Sequence, residues 1–327
     1  MGHKPMSEVL LDVNQLRVTF NGHPAVHDVS YRIHEGEIVG IVGESGCGKS
    51  LASLTLMGLQ PSVMQASGSV NFAGHNILTN SPQQWQKLRG EGIAMIFQEP
   101  MTALNPVVTV GDQIAEMFIL HQGDNKVQAR QKAIEMLEQV HIPDPLRRAK
   151  AYPHELSGGM RQRVMIAMAL ACRPKLIIAD EPTTALDVTV QAQVLDLLEE
   201  LRETTGTAIQ FISHNLGVVS QLADRVVVMY AGRVVEEGTS DQLFSEPQHP
   251  YTQGLLATLP RIGHRQARLP AIAGSVPPLG QRGTGCPFVD RCQHARAICH
   301  QEMPMTRSLS HSHSVACHNV EVVAHAS

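Results

Sequence analysis

The sequence feature that most constrains this chain is the octapeptide GESGCGKS at Gly43–Ser50. It fits the spacing G-x-x-x-x-G-K-[ST], follows a strand-like stretch at Glu37–Val42 and opens a helix-like stretch at Ser50–Leu59. Glycines at this spacing let successive backbone N–H groups curl around a β-phosphate, and the N-terminus of the following helix adds positive potential. The pattern therefore predicts a phosphate loop that binds a nucleotide.

Individual side chains of the loop have separate predicted roles. We expect Lys49 to reach the β- and γ-phosphates of ATP and the Ser50 hydroxyl to bind Mg²⁺. Cys47 occupies an unconstrained position of the motif, and the simpler interpretation is a tolerated small residue. We still expect alkylation of its thiol to block nucleotide binding and ATP to protect it. The weaker alternative is a Gly-rich turn with a surface lysine. The predicted nucleotide contacts are Gly43, Glu44, Ser45, Gly46, Cys47, Gly48, Lys49, Ser50 and Leu51.

A second candidate element is the apolar stretch Leu176–Glu181, which ends in two carboxylates. Asp180 at the strand end suits a contact with Mg²⁺, and Glu181 can act as general base towards the attacking water. The alternative is that both charges merely complement a helix dipole. His214 follows another strand-like stretch, Ala208–Ser213, at the edge where open α/β sheets bind ligands, and is a candidate for a γ-phosphate contact.

The order of strand-like and helix-like stretches indicates the fold class. Their alternation over the first two thirds of the chain is typical of an α/β layered domain, here of the P-loop NTPase class. Between Gln98 and Ser157 the pattern turns mostly helical, with an amphipathic segment at Arg130–Val140, which predicts an inserted helical subdomain. Proline and glycine become frequent from about Ser245. We predict an ATPase domain over 1–245, with the helical subdomain at about 99–165, and a C-terminal extension over 246–327.

Composition limits the partners. The formal net charge is −4, from 26 Lys and Arg against 30 Asp and Glu, which argues against nucleic acid because phosphate backbones are bound by clustered excess cations. No apolar run approaches the ~18–20 residues that span a bilayer, and Met1–Asp12 contains no signal-peptide hydrophobic region. We therefore expect a cytosolic chain that reaches a membrane only through its partners.

Several further motifs resemble the ATP-binding subunits of ABC transporters over residues 8–245. The segment Leu156–Met160 (LSGGM) matches the family signature LSGGQ, with Met160 in place of Gln. The resemblance implies that Ser157, Gly158 and Gly159 form an anion-binding nest that closes on ATP held by an opposing subunit. The other matches are Gln98 (the Q-loop glutamine, near Mg²⁺), Ala185-Leu186-Asp187 (the D-loop) and His214 (the switch histidine). Phe20 is a candidate for stacking on adenine, with core packing as the equal alternative.

Two regions narrow the resemblance to ATPases of peptide and nickel importers. These are Phe97–Pro106 (FQEPMTALNP), and a tail with His249-Pro250-Tyr251-Thr252, Leu269-Pro270 and Gly285-Cys286. The resemblance points to a D-type subunit that hydrolyses ATP to drive import of dipeptides or oligopeptides. It implies a peripheral position on the cytoplasmic face of the inner membrane and, as partners, a distinct F-type ATPase, two membrane permease subunits and a periplasmic or extracellular peptide-binding protein. The alternatives are nickel or a metal chelate as cargo, and a soluble ABC ATPase without a transport role.

The tail is also rich in cysteine. In a reducing compartment such a cluster indicates metal ligands rather than disulfides. Four thiolates suit Zn²⁺ or an iron–sulfur cluster, although the spacing is looser than the paired C-x₂-C of zinc ribbons. The family resemblance favours a [4Fe–4S] cluster, while nearby histidines keep a mixed zinc site open, and unligated thiols or a redox-sensing module are the remaining alternatives. The cysteines are Cys286, Cys292, Cys299 and Cys317, and the histidines are His300, His313 and His318.

Overall fold

The computed structural model describes residues 8–184, 186–259 and 271–320. These residues form two compact units between which the chain passes several times. The first unit comprises residues up to Leu10, His34–Glu37 and Thr79–Phe211. The second comprises Leu11–Ile33, Ile38–Leu78 and the residues from Ile212 onward.

Strands and helices alternate along most of the described chain. The strands are β1 (Val9–Phe20), β2 (His23–His34), β3 (Ile38–Val42), β4 (Met64–Phe72), β5 (His75–Asn76), β6 (Ile93–Ile96), β7 (Leu176–Asp180), β8 (Ala208–Ser213), β9 (Arg225–Tyr230), β10 (Arg233–Thr239), β11 (Arg307–Ser308) and β12 (Ser314–Val315). The helices are α1 (Lys49–Leu56), α2 (Pro82–Glu91), α3 (Pro100–Ala103), α4 (Val110–Gln122), α5 (Lys126–Gln139), α6 (Pro145–Arg148), α7 (Gly158–Leu170), α8 (Val188–Thr205), α9 (Leu216–Leu222), α10 (Ser240–Ser245), α11 (Pro250–Ala257) and α12 (Ala297–Gln301).

An antiparallel sheet of the order β2-β1-β4-β5 belongs largely to the second unit. Strand β1 pairs with β4 so that Val13 lies opposite Val70, and the register shifts between Asn14 and Arg17. At this irregularity the Gly68 backbone lies so close to β1 that a Cβ would stand 2.4 Å from the Gln15 carbonyl oxygen. Gly68 therefore allows the close approach that the bulge requires.

The second unit also contains the strands that carry the phosphate loop and the C-terminal tail. They lie in the order β11-β12-β10-β9-β3. Strand β3 is parallel to β9, with Ile41 opposite Val227, and all five of its residues are buried. Strands β9, β10, β12 and β11 pair antiparallel, so the tail strand β12 extends the sheet at Glu236 and Glu237 of β10. The tail is thus joined to the same sheet as the strand that precedes the phosphate loop.

The first unit combines parallel strands with a group of helices. Strands β6 and β7 are parallel, with Ile93 opposite Leu176, and β8 lies beside β7. Helices α3–α7 occupy the segment for which the sequence predicts a helical subdomain. Helix α5 buries Ala129, Ala133 and Leu137 at a spacing of four residues, which forms one apolar face.

The main elements expected from the sequence are confirmed. The predicted strand-like stretches at Glu37–Val42, Leu176–Glu181 and Ala208–Ser213 correspond to β3, β7 and β8. The helix after the phosphate loop is α1, although it ends earlier than expected, at Leu56. Within the described ranges, no helix has both the length and the apolar character needed to span a membrane.

Candidate functional site

The phosphate loop connects β3 to α1 in the second unit. Gly43 has a φ of +153°, and a Cβ there would lie 2.2 Å from the backbone oxygen of Met229 and 2.8 Å from Cys47 Sγ. Gly48, at the N-cap of α1, has a φ of +101°. Both positions need glycine because a side chain would be strained or would collide with its neighbours. Ser45 and Gly46 are exposed at the tip of the loop, and Ser50 and Leu51 lie in the first turn of α1.

Lys49 is folded onto the loop that it follows. Its side chain is buried, with only 5% exposure, and its Nζ donates to the carbonyl oxygens of Gly43 at 2.7 Å and Glu44 at 3.2 Å. A buried ammonium group held by neutral carbonyl oxygens is placed to exchange them for phosphate oxygens, which bear full charge.

The structure buries Cys47, which the sequence places at an unconstrained position of the motif. The residue has 0% exposure, and its Sγ lies against the Gly43 backbone and 3.9 Å from Lys49 Nζ. Burial raises the pKa of the Cys47 thiol, so the reactive thiolate is scarce at neutral pH. The position is constrained by packing, and ready alkylation of the folded chain is not expected.

The second candidate element lies in the first unit. Asp180 ends β7 and has 6% exposure. Glu181 follows with a φ of +47°, in the left-handed region that residues with side chains rarely adopt. Its Oε2 accepts hydrogen bonds from Gln98 Nε2 at 3.2 Å and from the Thr184 hydroxyl at 2.9 Å. The structure thus brings together Gln98 and Glu181, which are 83 residues apart, and adds Thr184, which no sequence motif marked.

The signature segment opens α7 in the same unit. The Ser157 side chain caps the helix by accepting from Met160 N–H at 3.3 Å. Ser157 and Gly158 are exposed, and a Cβ at Gly159 would lie 2.7 Å from Val190 of α8. The exposed helix N-terminus retains the backbone N–H donors expected of an anion-binding nest. Met160, in place of the signature Gln, leaves these donors unchanged.

The remaining predicted contacts are distributed over both units. Asp187 caps α8 by accepting from Val190 N–H at 3.0 Å, whereas Ala185 lies outside the described residues. His214 is exposed directly after β8. Phe20 ends β1 and is half-buried rather than enclosed in the core, which leaves part of its ring available for a base. The roles assigned to these residues from the sequence stay predictions.

The cysteine tail belongs to the second unit. Burial and the proximity of the other three tail thiols raise the pKa of Cys286 to about 11. Backbone N–H groups of Arg296 and Asn319 donate to Cys299 Sγ and Cys317 Sγ, each at 3.5 Å. Yet no group of three or more His, Cys, Asp or Glu side chains in the described parts of the chain is arranged to hold a metal ion.

The thiols therefore share one region without forming a ligand set, and the expected [4Fe–4S] cluster or Zn²⁺ site is not supported. His313, one of the histidines considered as zinc ligands, instead bonds through Nε2 to Glu236 Oε1 at 2.9 Å.

The HPYT segment supplies a contact that sequence reasoning missed. Pro250 starts α11, and the His249 side chain caps the helix by accepting from Tyr251 N–H at 3.0 Å. The Tyr251 hydroxyl in turn accepts from the backbone N–H of Glu44 in the phosphate loop at 2.8 Å. The motif itself was visible in the sequence, but its partner was not. Leu269-Pro270 lies outside the described residues.

Comparisons with known proteins agree with these motifs. Residues 26–184 match the family described as ABC transporter, and residues 235–299 match the family described as Oligopeptide/dipeptide transporter, C-terminal region. The oligopeptide transport ATP-binding protein OppD of Salmonella typhimurium is 50% identical over 303 residues, which cover 91% of this chain and 90% of that protein. The dipeptide transport ATP-binding protein DppD of Bacillus subtilis is 48% identical, with 95% and 94% covered.

Solved structures agree as well. A dimeric post-hydrolysis state of the ATP-binding cassette MJ0796, bound to ADP and Pi, superposes with a TM-score of 0.63 and is 29% identical. The match covers 70% of this chain and 98% of that one, so this chain carries residues beyond the shared cassette. With its phosphate loop, its signature segment and relatives about half identical over nearly the whole length, the chain belongs to the family of ABC transporter ATP-binding proteins.

Proposed function

We propose that the chain is the ATP-hydrolysing subunit that energises import of dipeptides or oligopeptides by an ABC transporter. The observation that carries the proposal is that a cassette with a complete phosphate loop continues into the C-terminal region typical of oligopeptide and dipeptide transporters. The relatives named above as oligopeptide and dipeptide transport proteins cover both parts of the chain.

Different residues have different proposed roles in ATP binding and hydrolysis. Lys49 and the N–H groups of Gly46–Ser50 would hold the phosphates of ATP. The Ser50 hydroxyl, the Gln98 amide oxygen and the Asp180 carboxylate are the hard oxygen donors that would suit Mg²⁺. When bound, Mg²⁺ would supply positive charge that balances the phosphate oxygens. Glu181 accepts a proton from the attacking water, and the Gln98 amide and Thr184 hydroxyl fix the orientation of its carboxylate.

The base assignment is tested with Glu181→Gln. The amide keeps an oxygen for the Gln98 and Thr184 donors, so we expect unchanged folding and ATP binding but hydrolysis at least ~10²-fold slower. Glu199→Gln, at an exposed position of α8, is the matched control and should retain full activity. Near-normal turnover of Glu181→Gln would contradict the assignment.

The transport role needs partners that this chain does not supply. The segment from Phe97 to Val107 exposes apolar side chains, with Met101 56% and Val107 77% exposed, which suits docking of membrane permease subunits. We place the chain at the cytoplasmic face of the inner membrane, with an F-type ATPase as the second nucleotide-binding subunit and a separate peptide-binding protein outside.

A growth experiment tests the identity of the cargo directly. A strain lacking the gene should fail to grow on dipeptides as sole amino-acid source, and the intact gene should restore growth. Loss of nickel uptake with normal growth on dipeptides would instead identify nickel or a metal chelate as cargo.

A further inference from the structure

One residue of the phosphate loop, Glu44, is held by two residues of the C-terminal region. Arg291 donates from Nη1 to Glu44 Oε2 at 2.6 Å and from Nη2 to Glu44 Oε1 at 2.9 Å, which makes a two-point ion pair. The Tyr251 hydroxyl accepts from the Glu44 backbone N–H at 2.8 Å. We call Glu44, Tyr251 and Arg291 the Glu44 clamp. It fixes the side chain and the backbone of the loop residue that follows Gly43.

The tyrosine of the clamp is anchored in an aromatic group. Tyr251 has 0% exposure. Its ring centroid lies 4.6 Å from that of Tyr230 and 5.4 Å from that of Phe288. Because Tyr230 ends β9 and Phe288 belongs to the tail, the tyrosine hydroxyl is held by the sheet and the tail together.

The arginine of the clamp is equally fixed. The Arg291 side chain is only 6% exposed, its Nε donates to the Ala273 carbonyl at 2.7 Å, and its guanidinium lies 5.7 Å from the Tyr230 ring centroid. A planar guanidinium so held is a rigid partner for a carboxylate and loses little entropy on pairing. Arg291 immediately precedes Cys292, so this member of the clamp belongs to the cysteine tail.

The negative charge of Glu44 links the clamp to ATP binding. A free carboxylate in a phosphate-binding loop repels a triphosphate, and this repulsion is strong in a partly buried site. Pairing with Arg291 cancels that charge. The bond from Glu44 N–H to Tyr251 also fixes the backbone whose carbonyl oxygen receives Lys49 Nζ at 3.2 Å.

We propose that Tyr251 and Arg291 are positioning residues for the phosphate loop: through Glu44 they set its backbone and neutralise its charge, so that ATP affinity depends on the C-terminal region. Neither residue needs to touch the nucleotide. The proposal rests on ATP binding at this loop, as set out above.

The test compares Arg291→Ala with the double variant Glu44→Gln/Arg291→Ala in the full-length chain. We expect Arg291→Ala to weaken Mg-ATP binding by about tenfold, the order of one uncompensated charge near the phosphates. The KM for ATP should rise in parallel and kcat should stay within about twofold. The double variant removes the uncompensated charge and should recover most of the affinity. Arg296→Ala, an exposed arginine in the same tail, is the matched control.

Further variants separate charge from folding. Arg291→Lys keeps the charge but makes only a point contact, so its affinity should lie between those of wild type and Arg291→Ala. Tyr251→Phe leaves the Glu44 N–H without its acceptor, and should weaken ATP binding without changing its dependence on salt.

The outcomes distinguish this proposal from the proposed function. A double variant as weak as Arg291→Ala, or an Arg291→Lys variant as weak as Arg291→Ala, would show a purely structural role and overturn the proposal. Unchanged ATP affinity in Arg291→Ala would overturn it as well, with the ATPase assignment intact. A wild-type chain without affinity for Mg-ATP would overturn both.

Discussion

Replacement of Glu236 should loosen the C-terminal region from its sheet. The residue lies in β10 with 1% exposure, and its carboxylate accepts three hydrogen bonds. The backbone N–H groups of Gln248 and His249 donate at 2.7 Å and 2.9 Å, and His313 Nε2 lies 2.9 Å from Oε1. One buried side chain therefore connects β10 with the start of the HPYT segment and with the tail.

The magnitude follows from the partners that are left behind. Each buried donor that loses its acceptor costs about 1–3 kcal/mol, so Glu236→Ala, which orphans three donors, should cost at least about 3 kcal/mol. At about 1.5 °C per kcal/mol for a chain of this length, the melting temperature should fall by at least ~4 °C. Glu236→Gln keeps one acceptor oxygen, so its melting temperature should lie between those of wild type and Glu236→Ala.

Thermal unfolding followed by circular dichroism measures the effect. Glu246→Gln, at an exposed position nearby, is the control and should change the stability by less than about 0.5 kcal/mol. If Glu236→Ala melted within 2 °C of wild type, the three bonds would not carry the docking of the tail, and the reasoning would be refuted.

Three further predictions concern buried groups near the phosphate loop. Burial lowers the pKa of His249 from 6.5 to about 4, so the unfolded state takes up a proton at a higher pH than the folded state. The free energy of unfolding should therefore fall by about 2 kcal/mol between pH 7 and pH 5. Urea titrations measure this loss, and His249→Asn should abolish it. Cys47 should react with iodoacetamide at least ~10-fold more slowly in the folded chain than in urea, read by peptide mass mapping; equal rates would contradict its burial. Gly43→Ala should lower the free energy of unfolding by more than ~2 kcal/mol and abolish ATP binding. Gly22 has a positive φ but open space around it, so Gly22→Ala should lower the free energy of unfolding by only about 1 kcal/mol. Similar melting curves for the two variants would refute the steric argument.

Local patterns were sufficient to predict the elements that carry the site. Neighbouring residues directly indicate the buried run in β3, the glycine spacing of Gly43–Ser50 and the two carboxylates at the end of β7. Each of these features is fixed by backbone conformation and strand burial.

Contacts between distant segments could not be predicted in this way. Arg291 and Glu44 are 247 residues apart, and His313 and Glu236 are 77 apart, so no periodicity or spacing relates them. Residue type gives no sign of this pair either: Glu236 and His313 are both buried, although each alone is typical of an exposed position. Cys47 looked unconstrained because the motif allows any residue there, and only the fold shows that the Gly43 backbone encloses it.

The Glu44 clamp also bears on how the chain is made. The ribosome adds Glu44 to the growing chain 247 residues before it adds Arg291. A nascent polypeptide thus displays the complete glycine motif long before the guanidinium that neutralises its carboxylate has been synthesised. A ribosome that stops before codon 291 releases a fragment with every cassette motif in its sequence and an unbalanced negative charge at its phosphate loop.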